Sequence, residues 1–390
     1  MTAIRDEACI VGLGETEYRR WGGFQDRSEL QLTCEAIQAA AADAGLDVDD
    51  IDGVVSYAMD RNDPAFLQDA MGLPNIRFAS QAWGGGGAAS CASLQHAVAA
   101  VQSGAAHYVA AFRGLCQGQS ARYGKFNAAR RGNNFLAPFG MFSPPIMMAP
   151  MIQRYMYEYG FKQEHLGEIA LNARANAHRN PRAVMRDRPL TMETYLASRL
   201  IASPLRLYDC CQENDGACAV IVTTLERARD LKARPVRILA AAHMNTPGWG
   251  AGPVGTHNMP IEDYGAGNCA SVAREVFGRA GVTPKDIDVA QIYDHFSGLV
   301  LMSLENFGFC GRGEAGDFVA DGHIRWEGGD LPINTSGGHL SEAYMHGFNL
   351  ILEGARQIRG ESTSQVEGAE ICLVTGGSGA PAPSAAILGV

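Results

Sequence analysis

The pattern of apolar and polar positions predicts an α/β protein in which one run of elements occurs twice. In the first half, a helical period over 30–44 ends at a glycine and leads through an acidic turn into an apolar strand at 53–57. In the second half, a helical period over 270–280 ends in the same way and leads into a strand at 289–293. Glycine directly after the last periodic residue commonly ends a helix. The recurrence indicates a diverged internal repeat.

The next elements of the two halves match in the same order. The glycine run 84–87 opens an alanine-rich helix that leads to a strand at 107–112. The glycine pair 337–338 opens a predicted helix over 341–358 that leads to a strand at 370–375. Chance similarity of two α/β segments is the alternative, and agreement over successive elements argues against it. We therefore expect two similar sheets that pack through shared helices.

The predicted domain organisation follows from this repeat. We expect an N-terminal half over 1–225 and a C-terminal half over 235–390. The segment of about 116–206 is rich in Arg, Asn, Met, Pro and Tyr, which is typical of an inserted loop domain that covers an active site. Exposed methionine and aromatic side chains in such an insertion more often bind an apolar ligand than serve as padding.

Composition argues against several classes of function. The 390 residues carry a net charge of −10 with a pI near 5.5, which argues against a nucleic-acid-binding protein. No stretch approaches the ~18 consecutive apolar residues of a membrane span. Ten cysteines without a framework spacing, and an N-terminus without an apolar signal-peptide core, predict reduced thiols and a cytoplasmic location.

Motifs for bound cofactors are weak or incomplete. The motif Gly-Leu-Gly at 12–14 has Glu17 at the position of the third glycine of a dinucleotide-binding loop. The cysteines at 210–211 and Cys218 lack the second ligand pair of a metal site. Most of the lysines lie in polar or turn contexts, so no buried Schiff-base lysine is apparent. We therefore expect no metal and no bound cofactor in this chain.

The most informative stretch is 334–347, which reads N-T-S-G-G-H-L-S-E-A-Y-M-H-G. It resembles the C-terminal histidine motif of thiolases. Four other segments resemble the opening strand, the D-G-A-A-A strand, the N-E-A-F or H-D-C-F segment and the final glycine loop; they are 8–16, 214–222, 288–296 and 376–379. Together they resemble the thiolase superfamily, especially its sterol-carrier-protein-x-type branch. The resemblance implies a thiolase fold with two repeated α/β halves in a five-layer αβαβα arrangement, an inserted loop domain and a homodimer.

Three positions depart from the thiolase pattern. Tyr344 stands where the motif has its catalytic histidine. The position of the acyl-accepting cysteine falls near Gly87, and Cys91 lies about one helical turn further on, where a small buried helix residue is expected. The position of the second catalytic cysteine falls on Leu373, and strand alternation points the adjacent Cys372 to the opposite face. Claisen chemistry needs both thiols, so we expect no thiolysis.

The same departures resemble a subgroup, the lipid-transfer-protein-like, thiolase-fold aldolases of bacterial steroid side-chain degradation. This resemblance is carried by the segments 207–212, 293–296, 308–311, 317–322 and 342–347. It implies that Tyr293 and Tyr344 are catalytic in the retro-aldol cleavage of a β-hydroxyacyl-CoA with a tertiary ring hydroxyl. The products would be a ring ketone and a shorter acyl-CoA such as propionyl-CoA. It also implies an OB-fold/zinc-ribbon partner protein, which would hold any zinc.

Two tyrosines suit this reaction because it needs no acyl-enzyme. A base takes the proton of the β-hydroxyl, donors stabilise the thioester enolate, and an acid protonates its α-carbon. Tyrosine has an ordinary pKa of about 10 and needs a nearby cation or donor to act as a base, for which His295 and His346 are the local candidates. The remaining site predictions are backbone donors or substrate contacts at Gly87, Gly377, Gly379 and Asp294, and contacts to CoA phosphates at Arg130 and Arg131.

Two alternative functions stay open at this point. One is a thiolase-like enzyme for an aryl or smaller acyl-CoA, and the other is a non-catalytic acyl-CoA-binding subunit that stabilises an active partner. In the second case Tyr293 and Tyr344 would be buried tyrosines with satisfied hydroxyls, which is the commoner role of a single tyrosine. Two tyrosines at two active-site positions favour catalysis. The sequence leaves open which of them is the base.

Overall fold

The computed structural model of the chain describes residues 7–119, 137–141, 143–245, 264–380 and 382–390. The strands in this part of the chain are β1 (Ala8–Glu15), β2 (Arg19–Arg20), β3 (Gly53–Tyr57), β4 (Phe78–Ala82), β5 (Val109–Cys116), β6 (Leu200–Ala202), β7 (Leu205–Arg206), β8 (Asn214–Thr224), β9 (Val236–His243), β10 (Val289–Gln291), β11 (Ile371–Gly376) and β12 (Ser384–Gly389). The α-helices are α1 (Glu29–Ala44), α2 (Pro64–Met71), α3 (Ser90–Ser103), α4 (Pro144–Tyr159), α5 (Gln163–Arg179), α6 (Met192–Ala197), α7 (Leu225–Ala228), α8 (Ala270–Ala280), α9 (Ser297–Asn306), α10 (Ala315–Ala320) and α11 (Phe348–Arg359).

The order of the strands repeats between the two halves. In the first half it is β4-β3-β5-β8-β1, with β3 parallel to β4 and β5, and β8 antiparallel to β5 and β1. In the second half it is β10-β11-β12-β9, with β10 parallel to β11, and β12 antiparallel to β11 and β9. A parallel bridge between Ala290 and Ile333 occupies the position that β4 has in the first half. The predicted internal repeat is therefore present in the topology, while the boundaries 1–225 and 235–390 stay predictions.

Helices divide the halves into layers. α3 contacts strands of its own half and also β9, β11 and β12, and α11 contacts its own half and also β1 and β8. These two helices lie between the two sets of strands, α1 covers the outer face of the first set, and α8 covers the outer face of the second. Antiparallel pairing of Cys9 and Ile10 with β9 joins the halves. The arrangement is the expected five-layer αβαβα fold.

Several elements have the positions that the sequence predicts. The strand at 53–57 and the helix at 270–280 have the predicted bounds, and α1 begins one residue earlier. The Ser28 side chain accepts a hydrogen bond from the backbone N–H of Gln31, which caps the start of α1. Gly45 ends the helix in a left-handed conformation (φ 77°). Local capping chemistry is what made these bounds predictable.

The predicted helix over 341–358 is wrong in its first turns. The chain forms one wide turn of helix over Gly338–Glu342, and α11 begins only at Phe348. Between them His346 (φ 48°) and Gly347 (φ 87°) adopt left-handed backbone conformations that no helix can continue through. The consequence is an irregular stretch that carries Tyr344 and His346 out of the helix.

The inserted segment packs on the second half of the fold. α5 contacts α9 and α10, and α4 contributes Met151, Ile152 and Tyr155 to the buried cluster that includes α9. Among the described residues, no helix combines the length and the apolar character needed to cross a bilayer. Lys162, Lys232 and Lys285 are exposed, so none of the described lysines is buried. Lys125 lies outside the described residues.

Close approach of α1 to β1 explains the Gly-Leu-Gly motif at 12–14. A Cβ atom at Gly14 would lie 2.1 Å from the carbonyl oxygen of Ala36, and one at Gly12 would lie 2.0 Å from that of Ala40. Both distances are far shorter than any real contact, so the helix backbone rests directly on the strand. The motif serves packing.

We expect Gly14→Ala to destabilise the fold by ~1–3 kcal/mol, because the added methyl group forces α1 away from β1. The measurement is the shift of the thermal or denaturant midpoint. Gly278→Ala in α8 is the matched control, since a Cβ there meets nothing within 4 Å and alanine favours a helix over glycine by ~1 kcal/mol. Equal effects of the two substitutions would contradict the packing interpretation.

Candidate active site

A cavity of about 560 Å³ opens where the two halves and the insertion meet. Met59 and Gly87 contribute from the first half, Pro145 and Met148 from the start of α4, and the segment after β7 adds Cys210 to Glu213. The second half contributes the predicted residues Tyr293, His295, Tyr344, His346 and Gly377. The insertion therefore forms part of the cavity wall. These five predicted residues come from three segments that are separate in the sequence, and the fold brings the segments together.

The two predicted tyrosines meet in the wall of this cavity. The hydroxyl oxygens of Tyr293 and Tyr344 are 2.8 Å apart, which is a hydrogen bond, and the two side chains are almost fully buried. The backbone N–H of Tyr293 donates to Thr375 Oγ1 (2.9 Å), and that of Tyr344 donates to Asn214 Oδ1 (2.9 Å). One tyrosine is thus tied to β11 of its own half, and the other to β8 of the first half.

Gly87 supplies a third group to the tyrosine pair. Its backbone N–H donates a hydrogen bond of 3.1 Å to Tyr293 Oη. A Cβ atom at this position would lie 2.3 Å from the same oxygen and 2.5 Å from the carbonyl oxygen of His346. Only glycine fits here. The predicted role of Gly87 was a donor to the substrate oxyanion, and in this structure its N–H instead contacts a catalytic candidate.

His346 is held from the side of the first half. Its Nδ1 accepts hydrogen bonds from Nε (3.3 Å) and Nη2 (3.1 Å) of Arg113, a buried residue of β5. Arg113 in turn forms a buried ion pair of 2.8 Å with Asp60. Burial, followed by the charge of Arg113 and then by His339 and His295, holds the pKa of His346 well below its usual value. The imidazole is therefore neutral near pH 7 and does not supply a cation to Tyr344.

His295 lies on the opposite side of Tyr293, with a ring centroid distance of 4.8 Å. Burial lowers the pKa of His295 to about 3, so this side chain is also neutral. Its carbonyl oxygen accepts a hydrogen bond from the backbone N–H of Cys211 (2.9 Å), which fixes the adjoining wall of the cavity. Neither histidine therefore supplies a cation to the tyrosines, because burial lowers the pKa of both; the other expectation, that a histidine N–H group is the donor, stays a prediction.

Asp294 supports the site and does not face the cavity. Its carboxylate is fully buried, accepts the backbone N–H groups of His339 (2.8 Å) and Leu340 (3.3 Å), and lies 3.1 Å from His339 Nδ1. Burial raises the pKa of Asp294 to about 7. The predicted substrate contact is corrected by this geometry: Asp294 caps the turn Gly338–Glu342 that precedes Tyr344.

The two predicted glycines of the final loop have different environments. Gly377 lines the cavity, and its role as a donor to the enolate oxygen stays a prediction. Gly379 is not among the residues that line the cavity, and its backbone N–H donates to Asn268 Oδ1 (2.9 Å). That N–H group is therefore not available to the substrate, which corrects the predicted role. Arg130 and Arg131, predicted to contact CoA phosphates, lie outside the described residues. Among the described residues no cluster of three or more His, Cys, Asp or Glu forms a metal site.

No described thiol has the position and the charge that a thiolase needs. Cys91 is fully buried in the first turn of α3, donates to the carbonyl oxygen of Val374, and burial raises its pKa to about 12. Cys372 and Leu373 belong to hydrophobic clusters on opposite faces of β11, as alternation predicts. Cys210 and Cys211 do line the cavity, but burial raises the pKa of both thiols, to about 12 for Cys210. All four are therefore held as neutral thiols, which are poor nucleophiles.

Sequence reasoning missed two residues beside the tyrosines. Arg113 was visible as a lone charge in the apolar strand at 109–116, which is unusual for a strand buried on both faces. His339 lies between the tyrosines, with ring centroids 4.5 Å from Tyr293 and 5.1 Å from Tyr344. It stands inside the 334–347 motif, so its position in the motif was the available signal. Its pKa is held well below the usual value, first by burial.

This fold and this site define a thiolase-type protein whose cavity holds a pair of hydrogen-bonded tyrosines and in which the described thiols are not ionised. A family model described as "Thiolase C-terminal domain-like" matches residues 256–389. The chain is 44% identical to a 17-hydroxy-3-oxo-4-pregnene-20-carboxyl-CoA lyase of Mycobacterium tuberculosis, covering 99% of this chain and 100% of that protein. It is 41% identical to a steroid side-chain-cleaving aldolase of Thermomonospora curvata, covering 100% and 99% of the two chains.

Solved structures agree with this assignment. An Ltp2-ChsH2(DUF35) aldolase superposes with a TM-score of 0.92 at 39% identity, over 100% of this chain and 99% of that one. Human mitochondrial 3-ketoacyl-CoA thiolase superposes with a TM-score of 0.70 at 12% identity, covering 99% of each chain, which shows the shared fold. The chain belongs to the thiolase superfamily and, within it, to the family of side-chain-cleaving aldolases that its relatives of about 40% identity represent.

The low pKa of His295 has a consequence for stability. Its native pKa is about 3, whereas an unfolded histidine titrates near ~6.5, so only the unfolded state binds the proton between these values. We expect wild type to lose stability relative to His295→Gln as the pH falls from 7 to 4, at up to ~1.4 kcal/mol per pH unit. Denaturant unfolding at several pH values measures this difference.

The control for this experiment is Gly278→Ala, which removes no titratable group. The slope of its unfolding free energy against pH should match that of wild type. If His295→Gln also has the wild-type slope, the imidazole of His295 titrates normally and is not desolvated as described.

Proposed function

We propose that this protein cleaves the side chain of a steroid acyl-CoA by a retro-aldol reaction that uses Tyr293 and Tyr344. The observation that carries the proposal is the hydrogen bond between the two tyrosine hydroxyls in the cavity wall, where burial raises the pKa of the lining thiols Cys210 and Cys211. The substrate would be a β-hydroxyacyl-CoA with a tertiary hydroxyl on the ring. The products would be a ring ketone and a shorter acyl-CoA such as propionyl-CoA.

Each atom has a defined fate in this reaction. The proton of the tertiary hydroxyl passes to the phenolate oxygen of one tyrosine while the bond between the β-carbon and the α-carbon breaks. The electron pair of that bond moves to the α-carbon and into the thioester, and the β-carbon becomes the ketone. The enolate then receives one proton at its α-carbon from the hydroxyl of the other tyrosine, which becomes the phenolate. A proton then passes from the first tyrosine to the second through their hydrogen bond, so the enzyme returns to its starting state without a cofactor.

The surroundings of the pair favour Tyr293 as the proton acceptor. Its oxygen accepts the Gly87 N–H (3.1 Å) and can also accept the hydroxyl of Tyr344 (2.8 Å). Two donors to this oxygen stabilise the phenolate form that accepts the proton. Tyr344 then supplies the proton for the α-carbon. This assignment goes beyond the sequence, which left the order of the two tyrosines open.

The cavity wall suits an apolar ring system with a charged tail. Met148, Ile201 and Phe296 provide apolar surface, and the volume of about 560 Å³ is of the size that holds a small organic ligand. Arg199 is an exposed cation of the described lining and is placed to contact a CoA phosphate at the mouth. The pantetheine arm would enter from this side and place the thioester near the tyrosines.

A second protein is expected to take part. The similar solved structure is that of an Ltp2-ChsH2(DUF35) aldolase, which supports an assembly of this chain with a partner of the DUF35 type. An OB-fold and zinc ribbon in that partner, and a homodimer of this chain, are further parts of the proposal. Any zinc would then belong to the partner, and this chain would bind only the acyl-CoA.

The first experiment incubates the protein, alone and with its DUF35-type partner, with a β-hydroxyacyl-CoA that carries a tertiary ring alcohol. We expect mass spectrometry to show the ring ketone and the shorter acyl-CoA without added free CoA, because no thiol enters the retro-aldol balance. Cleavage only with added CoA would show thiolysis. Binding of acyl-CoA without any cleavage would favour the non-catalytic alternative.

Removal of either hydroxyl should stop the chemistry without unfolding the protein. We expect Tyr293→Phe and Tyr344→Phe each to lower kcat by ~10²- to 10⁴-fold, the range for loss of an acid or a base. Tyr195→Phe is the matched control, because this buried tyrosine bonds Asp209 away from the cavity (2.8 Å) and should keep its kcat. Near wild-type kcat in both site variants would refute a catalytic role for the pair.

A further inference from the structure

Three residues of the first half form a buried chain that ends on the imidazole of His346. Asp60 Oδ2 forms an ion pair with Arg113 Nη1 (2.8 Å), and the side chains of both residues are at most 3% exposed. Asp60 is itself fixed, because its Oδ1 accepts the backbone and side-chain N–H groups of Asn62 at 2.8 Å. Arg113 then donates to His346 Nδ1 from two nitrogens, at 3.3 Å and 3.1 Å. This series of contacts connects the first half of the fold to His346 in the second half.

The chemistry of arginine decides what His346 can do. A guanidinium has only donors and does not lose its proton in a protein. Both of its contacts are to Nδ1, so this nitrogen must be the acceptor and cannot carry hydrogen. A neutral imidazole has one proton, which is therefore on Nε2. His346 lines the cavity beside Tyr344, with ring centroids 4.9 Å apart.

Neighbouring groups favour the neutral imidazole over the imidazolium. Besides burial, the cation Arg113 and then His339 and His295 oppose a second proton on His346, whose ring also lies beside that of Tyr344. The backbone of His346 is held as well, because Tyr57 Oη donates to its carbonyl oxygen (3.2 Å) and its φ of 48° is left-handed. These contacts fix the backbone from which the imidazole meets Arg113.

We propose that Arg113 and Asp60 fix His346 as the tautomer with its proton on Nε2, so that His346 acts in the reaction as a neutral hydrogen-bond donor and never as a base. Arg113 and Asp60 are positioning residues, because they act through His346. The oxygen that receives this hydrogen bond is one that gains negative charge during cleavage, either a tyrosine oxygen or the thioester enolate oxygen. This inference rests on the proposed function for its catalytic part, while the tautomer itself is independent of it.

The tautomer is measured directly by nitrogen NMR on protein labelled with 15N-histidine, studied with its partner if the two are purified together. Loss of signals in His346→Gln assigns this residue. We expect an unprotonated Nδ1 and a protonated Nε2 from pH 6 to pH 8 in wild type. In Arg113→Met we expect the proton to be shared between the two nitrogens. A wild-type signal with the proton on Nδ1, or with both nitrogens protonated, would overturn the proposal.

Kinetics test the role of the donor. We expect Arg113→Met and His346→Leu to lower kcat with little change in KM, with His346→Leu ~100-fold down as for loss of one oxyanion donor. His346→Gln keeps an N–H group near the Nε2 position but cannot be a base, so it should retain most of the activity that His346→Leu loses. Equal loss in these two variants would show that His346 is a base.

Matched controls separate this role from stability. Arg359→Met removes another buried arginine, which pairs with Asp43 (2.7 Å) away from the cavity, and it should change neither the His346 signals nor kcat. If Arg113→Met does not fold, the double variant Asp60→Asn/Arg113→Met is used in its place. The double variant removes both charges of the buried ion pair, so neither is left unpaired. Unchanged His346 signals and unchanged kcat in that variant would refute the positioning role. If wild type shows the expected tautomer but cleaves no steroid acyl-CoA, the proposed function fails and the tautomer assignment stands.

Discussion

The hydrogen bond between Tyr293 and Tyr344 is the contact on which the site depends, and each of its partners is placed by a different part of the fold. Tyr293 follows β10 and its backbone is tied to Thr375 of β11, within the second half. Tyr344 is tied to Asn214 of β8, which belongs to the first half. The N–H of Gly87, also from the first half, completes the triangle of donors and acceptors. The site exists only because the two repeated halves pack face to face.

The two repeated halves differ in structure at the site, where their equivalent helix starts have different geometries. The glycine run of the first half begins a short helical turn and then α3, and it brings a bare backbone N–H to the cavity. The equivalent glycine pair of the second half begins one wide turn and then leaves helical geometry until Phe348. Two equivalent helix starts thus provide different things. One gives an amide, and the other gives the side chains of Tyr344 and His346.

The sequence predicted the layers and the tyrosine pair well, for identifiable reasons. A glycine such as Gly45 ends a helix locally, so the end of α1 could be predicted from the neighbouring residues. The tyrosines stand at fixed positions within motifs that resemble those of thiolases. The roles of Asp294 and Gly379 could not be read, because each depends on a partner distant in the chain: a backbone turn at His339 for one and Asn268 for the other. The expected charge on His295 failed because burial, which sets that charge, is a property of the whole fold.

A site without a reactive thiol also responds differently to oxidants. Sulfenic acid formation and alkylation require a thiolate, and they inactivate enzymes whose nucleophile is a low-pKa cysteine. In the reaction proposed for this protein the reacting oxygens belong to tyrosines, and burial raises the pKa of the Cys210 and Cys211 thiols that line the cavity. Peroxide would therefore inhibit thiolases that depend on a reactive thiol and leave the proposed tyrosine reaction unaffected. The proposed chemistry does not depend on the redox state of a catalytic thiol.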